Sequence, residues 1–166
     1  MEKRGEKEFD NQMELVFDSR SENEGFARVA VAAFMTQMDP VLEEVSDVKT
    51  AVSEAVTNAV IHGYGSGTEG SEESGERNRI RICCGIRGRE LYIEVRDRGI
   101  GIEDVRRAME PLFTTKPELD RSGMGFAFMQ AFMDEVEVES EPGRGTCVKM
   151  KKTIGEDAQT WTTPSL

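Results

Sequence analysis

The spacing of apolar residues changes several times along the chain, and each change marks an element. Met13-Glu-Leu-Val-Phe17 alternates well enough to predict a first strand. Phe26, Val29, Ala30, Ala33 and Phe34 then recur at helical spacing, behind a capping stretch at residues 21–23 and ahead of Asp39-Pro40, where a helix should stop. That phase leaves Arg28 on the outside. Pro40 suits the first turn of a second helix carrying residues 41–62, about six turns long, with Gly63 as its stop. Within it Val48, Val52, Ala55, Val56, Ala59 and Val60 gather on one side at about 100° per residue, while Glu54, Asn58 and His62 repeat every fourth position along the shoulder. A carboxylate and an amide therefore line up beside a core face.

Residues 65–78 contain no apolar side chain and predict a mobile loop. Ile80-Arg-Ile-Cys-Cys-Gly-Ile86 and Glu90-Leu-Tyr-Ile-Glu-Val-Arg96 then form a hairpin around Arg87-Gly88-Arg89, running straight into Asp97. A short helix over 103–109, an extended polar segment over 111–120 and a helix over 122–132 follow. A second hairpin, residues 136–140 and 147–150 around Glu141-Pro-Gly-Arg-Gly145, closes the pattern. Residues 1–11 are charged and without period, which predicts a disordered arm, and residues 154–166 a flexible tail, leaving one domain at 12–153. Helices grouped between hairpins predict an α+β fold: a two-layer α/β sandwich whose mixed, mostly antiparallel sheet carries helices on one face.

Composition narrows the partners. Asp plus Glu outnumber Lys plus Arg by 32 to 21, a net charge of -11 over 166 residues, and no basic stripe appears. Nucleic acid and anionic membranes are disfavoured as direct partners. Backbone N–H groups and helix starts can still hold a polyphosphate on an acidic protein. The three cysteines are odd in number, and Cys83 and Cys84 are neighbours on a strand, so their side chains point to opposite faces. With no leader-like apolar segment and no apolar run of membrane-spanning length, a reduced, soluble, cytoplasmic protein is expected.

Two glycine motifs follow the helical Glu and Asn. Asp97-Arg98-Gly99-Ile100-Gly101 ends a strand, where the sheet can fix a carboxylate while the glycines let backbone approach a flat ligand. An ionised aspartate only accepts hydrogen bonds, so it suits the amine of adenine and rejects the keto edge of guanine. Taken alone, a plain turn is the simpler reading. Ser122-Gly123-Met124-Gly125-Phe126 opens a helix, whose free N–H groups and positive dipole end form an anion cradle. That signal is weak by itself too, but the three in fixed order, with a Pro/Thr-rich segment between the last two, make a strong joint one. The P-loop pattern Gly-x-x-x-x-Gly-Lys-Ser/Thr and a His-Arg-Asp catalytic loop are both missing from the sequence.

These residues resemble the ATPase/kinase superfamily of gyrase, histidine kinases and MutL, and within it the anti-sigma-factor serine kinases of sporulating bacteria. The likeness runs from about Met13 to Lys152 through Glu-Gly-Phe-Ala-Arg-Val, Val-Ser-Glu-Ala-Val-Thr-Asn-Ala-Val-Ile-His-Gly-Tyr, Pro-Leu-Phe-Thr-Thr-Lys-Pro-Glu-Leu and Arg-Ser-Gly-Met-Gly-Phe. It implies a Bergerat ATP-binding fold that uses ATP/ADP and Mg²⁺. Asn58 would be the Mg²⁺ ligand, and Glu54 the base that orients the attacking hydroxyl and takes its proton late. Asp97 would meet adenine in a pocket shaped by Gly99 and Gly101 and supported by Thr146. Ser122, Gly123, Met124 and Gly125 would surround the phosphates, with Phe126 beside them. Thr114, Thr115 and Lys116 would bind ATP from the lid, and Arg121 would reach the terminal phosphate as a catalytic group. Arg28 would contact the partners, a sporulation sigma factor and its anti-anti-sigma antagonist, the kinase substrate. A homodimer is implied as well. Two alternatives stay open: a general-stress-type anti-sigma kinase, and a nucleotide-gated sigma-binding module without the kinase step. The charged arm, the longer acidic loop and the tail depart from the family pattern without touching motif residues.

Blander readings hold for the remaining features. His62, the single histidine, fits a helix end or pocket wall, since nothing pairs it with a nucleophile. The acidic loop is a solvated linker, the cysteines fill core or strand positions, and Met124, Met129 and Met133 fit helix packing.

Overall fold

The computed structural model describes residues 8–63, 78–110 and 125–155. In chain order the elements are β1 (Asn11–Asp18), α1 (Glu22–Met35), α2 (Leu42–Asn58), β2 (Arg79–Arg87), β3 (Glu90–Arg96), α3 (Val105–Ala108), α4 (Gly125–Phe132), β4 (Glu135–Glu141) and β5 (Gly145–Thr153). The strands form one sheet in the order β1-β2-β3-β5-β4, and every neighbouring pair is antiparallel. The α+β sandwich is as expected, but the sheet is not mixed. β3 and β4 do run the same way. β5 lies between them and pairs antiparallel to each, so no parallel contact arises.

Strand alternation separates the two faces of the sheet. Ile80, Ile82, Cys84 and Ile86 of β2, Leu91, Ile93 and Val95 of β3, and Val148 and Met150 of β5 are buried on one face. The register aligns them in rows, Ile82 beside Val95 and Val95 beside Val148. Against this face pack Ala27, Val31 and Met35 of α1, Val48, Ala51, Val52, Ala55 and Val56 of α2, and Met129 of α4. Each fully buried branched side chain contributes roughly 1.5–3 kcal/mol, so this helix-covered face is where the fold's stability lies. The opposite face carries ion pairs between neighbouring strands, including Arg81–Glu14 at 3.4 Å, Lys149–Glu139 at 2.9 Å and Lys151–Glu135 at 3.1 Å.

Both helix starts differ from expectation. Ser21 precedes α1 without a side-chain cap; instead Asn23 Nδ2 donates to the Asp18 carbonyl at 2.9 Å. α2 begins at Leu42, so Pro40 stays outside the first turn, and the half-buried N–H of Val41 is satisfied by Glu44 Oε1 at 2.9 Å. The other oxygen of the buried Glu44 accepts from Gly155 N at 2.8 Å and ties the helix start to the chain beyond β5. At its far end α2 stops at Asn58 and the chain continues as a five-residue π-turn, Ala59–Gly63. Glu54 and Asn58 keep their one-turn spacing, whereas His62 falls on the widened turn. The consequence for the site is direct: Gly63 O accepts from Ile100 N at 2.9 Å.

Phe9 and Asp10 lie against the sheet rather than in a free arm. The Phe9 ring covers Gly85, where a side chain would begin 2.6 Å from it, and it meets the Tyr92 ring at a centroid distance of 5.4 Å. Asp10 Oδ2 accepts from Gly88 N at 2.7 Å. Among the described residues no helix is long and apolar enough to cross a membrane.

Candidate nucleotide site

β3 delivers Asp97 to the site. Its N–H donates to Thr146 O at 2.9 Å and its carbonyl accepts from Thr146 N at 3.3 Å, so the β3–β5 ladder continues one residue past the strand. Asp97 is 7% exposed, and its Oδ1 accepts from Gly99 N at 2.9 Å. Burial pushes its pKa above the ordinary aspartate value, with the backbone N–H bonds acting the other way.

Glycines make this placement possible. A side chain at Gly63 would begin 3.0 Å from the Asp97 Cγ, one at Gly99 1.9 Å from Gly63 O, and one at Gly145 2.1 Å from Asp97 O. Gly145 also has φ +102°, a conformation that side chains disfavour. The segments at Gly63, Gly99 and Gly145 therefore pack closely around Asp97, with Gly63 against its carboxylate and Gly145 against its backbone carbonyl.

Asp97 stands at a cavity of about 520 Å³. Its apolar walls come from Ala55, Ala59, Val95, Ile100, Ile102, Phe126 and Val148, and its polar lining from Asn58, His62, Glu103, Asp104, Arg107 and Thr146. The volume and the mostly apolar walls with a few placed polar groups suit a nucleotide-sized ligand. In the same cavity wall Gly125 of α4 stands against the Glu54–Asn58 shoulder: a side chain on it would start 3.0 Å from Asn58 Nδ2 and 3.2 Å from Glu54 Oε2.

The sequence-predicted residues divide by position. Asn58, Asp97, Gly101, Gly125, Phe126 and Thr146 line one cavity. Glu54 and Gly99 adjoin it, the first against Gly125 and the second against Gly63. Thr114, Thr115, Lys116, Arg121, Ser122, Gly123 and Met124 lie outside the described residues. Arg28 is elsewhere, half-exposed on α1, 3.8 Å from Glu24 and beside a groove that Leu42, Val45 and Lys49 of α2 complete.

No group of three or more His, Cys, Asp or Glu among the described residues could hold a metal ion. The oxygens of Asn58 and Glu54 are nevertheless hard donors, and the bare Gly125 leaves room beside them. This suits Mg²⁺, which takes one or two protein oxygens and completes its shell with water and phosphate.

Several contributors escaped the sequence reading. Ser140 accepts from Ile102 N at 2.7 Å and lies 2.9 Å from Thr146 Oγ1, so it joins the segment after the Asp-Gly-Gly motif to the last hairpin. It occupies an inward position of β4 after Val136 and Val138, and a polar residue in an apolar row was the available signal. Arg107 supplies the only cationic side chain among the described lining residues. Gly63, a helix stop by sequence, proves to be the floor under Asp97.

A family model described as the histidine kinase-like ATPase domain matches residues 17–152. The chain is 57% identical to the anti-sigma F factor of Clostridium acetobutylicum over 143 residues, covering 86% of this chain and 94% of that protein. It is 55% identical to the anti-sigma F factor of Thermoanaerobacter pseudethanolicus over 150 residues, 90% of this chain and 99% of that one. Among solved structures, the RsbU and RsbW domains of a Mycobacterium tuberculosis protein superpose with a TM-score of 0.59 at 19% identity, covering 87% of this chain and 32% of that longer one, a likeness of fold alone. The chain belongs to the anti-sigma F factor family of histidine kinase-like ATPase domains.

Proposed function

We propose that this protein inhibits a sporulation sigma factor and, with Mg·ATP, phosphorylates a serine of the anti-anti-sigma antagonist, acting in the cytoplasm as a homodimer. Residues 12–153 form the working domain in this reading. The observation that carries it is one cavity lined by both Asp97 and Asn58, with Gly125 of α4 set against the asparagine amide. The relatives' name and the superfamily resemblance support the partners; the three free cysteines among the described residues fit a reducing compartment.

The residues divide the work. Asp97, held by Gly99 N, accepts from the adenine amine, and the apolar walls exclude water from the base. The α4 start meets the phosphates. Asn58, with Glu54 next to it, would hold Mg²⁺, which neutralises phosphate charge and orients the terminal group when bound. Glu54 orients the substrate serine and takes its proton as the γ-phosphorus forms a bond to the serine oxygen and the bond to the departing ADP breaks. Arg121, Lys116, Thr114 and Thr115 contribute from the lid, and Ser122 to Met124 complete the phosphate cradle. Arg28 contacts both protein partners.

Calorimetric titration tests the nucleotide half. Wild type binds ATP in the presence of Mg²⁺, and Asp97→Asn weakens that binding roughly ten- to a hundredfold by replacing a charged acceptor. Arg28→Ala leaves nucleotide affinity unchanged while lowering co-elution with the sigma factor. Wild type that binds no ATP, or an Asp97→Asn variant that binds as well as wild type, contradicts the assignment.

A further inference from the structure

Ser140 Oγ lies 3.0 Å from the Gly145 carbonyl, 2.7 Å from the Ile102 amide nitrogen and 2.9 Å from Thr146 Oγ1. A serine hydroxyl has a single proton to donate and lone pairs to accept with. The Gly145 carbonyl can only accept, so it takes the serine proton. The Ile102 amide can only donate, so it occupies a lone pair. The contact to Thr146 then has one solution: the threonine hydroxyl donates to Ser140.

This arithmetic fixes the polarity of Thr146, which lines the cavity and is bound through its backbone to Asp97. With its proton committed to Ser140, the threonine oxygen has only lone pairs left for a ligand. We infer that Ser140 is a positioning residue that sets base specificity: it holds Thr146 as a hydrogen-bond acceptor, so the Thr146 hydroxyl and the Asp97 carboxylate, which share this cavity, both accept. Two acceptors facing the 6-position select the 6-amino group, which donates, and disfavour a 6-keto oxygen at the same place, which would bring a further acceptor against them. The inference rests on the nucleotide reading above and assigns its base discrimination to a residue outside the cavity lining.

The test compares ATP with ITP, whose bases differ at that edge, in the full-length protein. Wild type prefers ATP. In S140A the Thr146 hydroxyl is released to rotate and donate, so ATP weakens, ITP gains, and the ATP-to-ITP affinity ratio falls roughly tenfold. S140T retains a hydroxyl and keeps the wild-type ratio. T146V removes the hydroxyl and lowers the ratio, and it carries the test alone if S140A does not fold. Loss of both affinities by the same factor in S140A, or an unchanged ratio in T146V, overturns the inference while leaving nucleotide binding intact. Wild type that binds neither nucleotide removes the reading and the inference together.

Discussion

Gly125, the first residue of α4, stands so close to Asn58 of α2 that a side chain on it would begin 3.0 Å from the asparagine Nδ2 and 3.2 Å from its Oδ1. The helix start that would meet phosphates and the amide that would hold a metal thus share one point in space. Glycine there is a requirement of the site, not of the helix. Alanine raises helix propensity by up to about 1 kcal/mol over glycine, so Gly125→Ala is expected to keep or raise the melting temperature while lowering affinity for Mg·ATP. Parallel thermal melts and titrations check this, and a variant that binds nucleotide as wild type does would show that the contact is slack.

Gly99 and Gly63 make a different kind of contact, backbone on backbone. A methyl group at Gly99 would begin 1.9 Å from the Gly63 carbonyl, which also accepts the Ile100 N–H at 2.9 Å. Neither chain segment can yield without opening that hydrogen bond. Gly99→Ala should therefore destabilise the fold by about 3 kcal/mol through overpacking and the lost bond. For a chain of this size the melting temperature drops by roughly 6–12 °C, measurable by calorimetry.

Burial raises the Asp97 pKa, so the folded protein holds that proton more tightly than the unfolded chain does. The linkage has a definite sign. Ionising Asp97 opposes folding: the cost is absent where the group is protonated in both states, grows as pH rises above the unfolded carboxylate value, and is complete above the raised folded value. Asp97→Asn, which keeps an oxygen for Gly99 N–H, is predicted to be at least as stable as wild type at neutral pH. That advantage should shrink as the solution is acidified through the carboxylate range. Urea melts of both proteins across pH measure it, and a less stable variant at neutral pH would contradict the sign.

Burial also protects two thiols. It is the main cause that pushes Cys84 up to about 12 and Cys147 up to about 11, and only the thiolate is nucleophilic. Native protein at pH 8 should give a disulfide reagent access to Cys83 alone, half-buried on the open face, and slowly, because burial and the neighbouring Glu14 raise its pKa too. Unfolded protein should release all three cysteines. Rapid native labelling of Cys84 would contradict the packing.

Much of this was legible in the sequence because it rests on local rules. Alternation in Ile80 to Ile86 and Leu91 to Val95 gave the strands, helical spacing from Val48 to Ala59 gave the long helix, and of the two glycine motifs Asp97, Gly101, Gly125 and Phe126 line one cavity. What was not legible depends on contacts between distant segments. The apolar spacing runs smoothly through Val60, so nothing announced the π-turn that carries Gly63 under Asp97. An antiparallel sheet follows from β5 entering between β3 and β4, a matter of packing order rather than of either strand's composition. Phe9, a lone aromatic in a charged arm, has no periodic neighbour to betray it, and its seat is the absent side chain of Gly85 on another strand. Ser140 acts through the geometry of its hydroxyl, which spacing cannot express.

The proposed function stands or falls on phosphoryl transfer at the Glu54–Asn58 shoulder. Its most direct test is the transfer of labelled γ-phosphate from Mg·ATP to the purified anti-anti-sigma partner, with wild type and Glu54→Ala compared and ATP affinity measured on the same samples. Phosphoserine is expected with wild type, and none with Glu54→Ala although that variant still binds ATP. Tight ATP binding by wild type with no phosphoserine formed would contradict it and leave a nucleotide-gated sigma-factor binder.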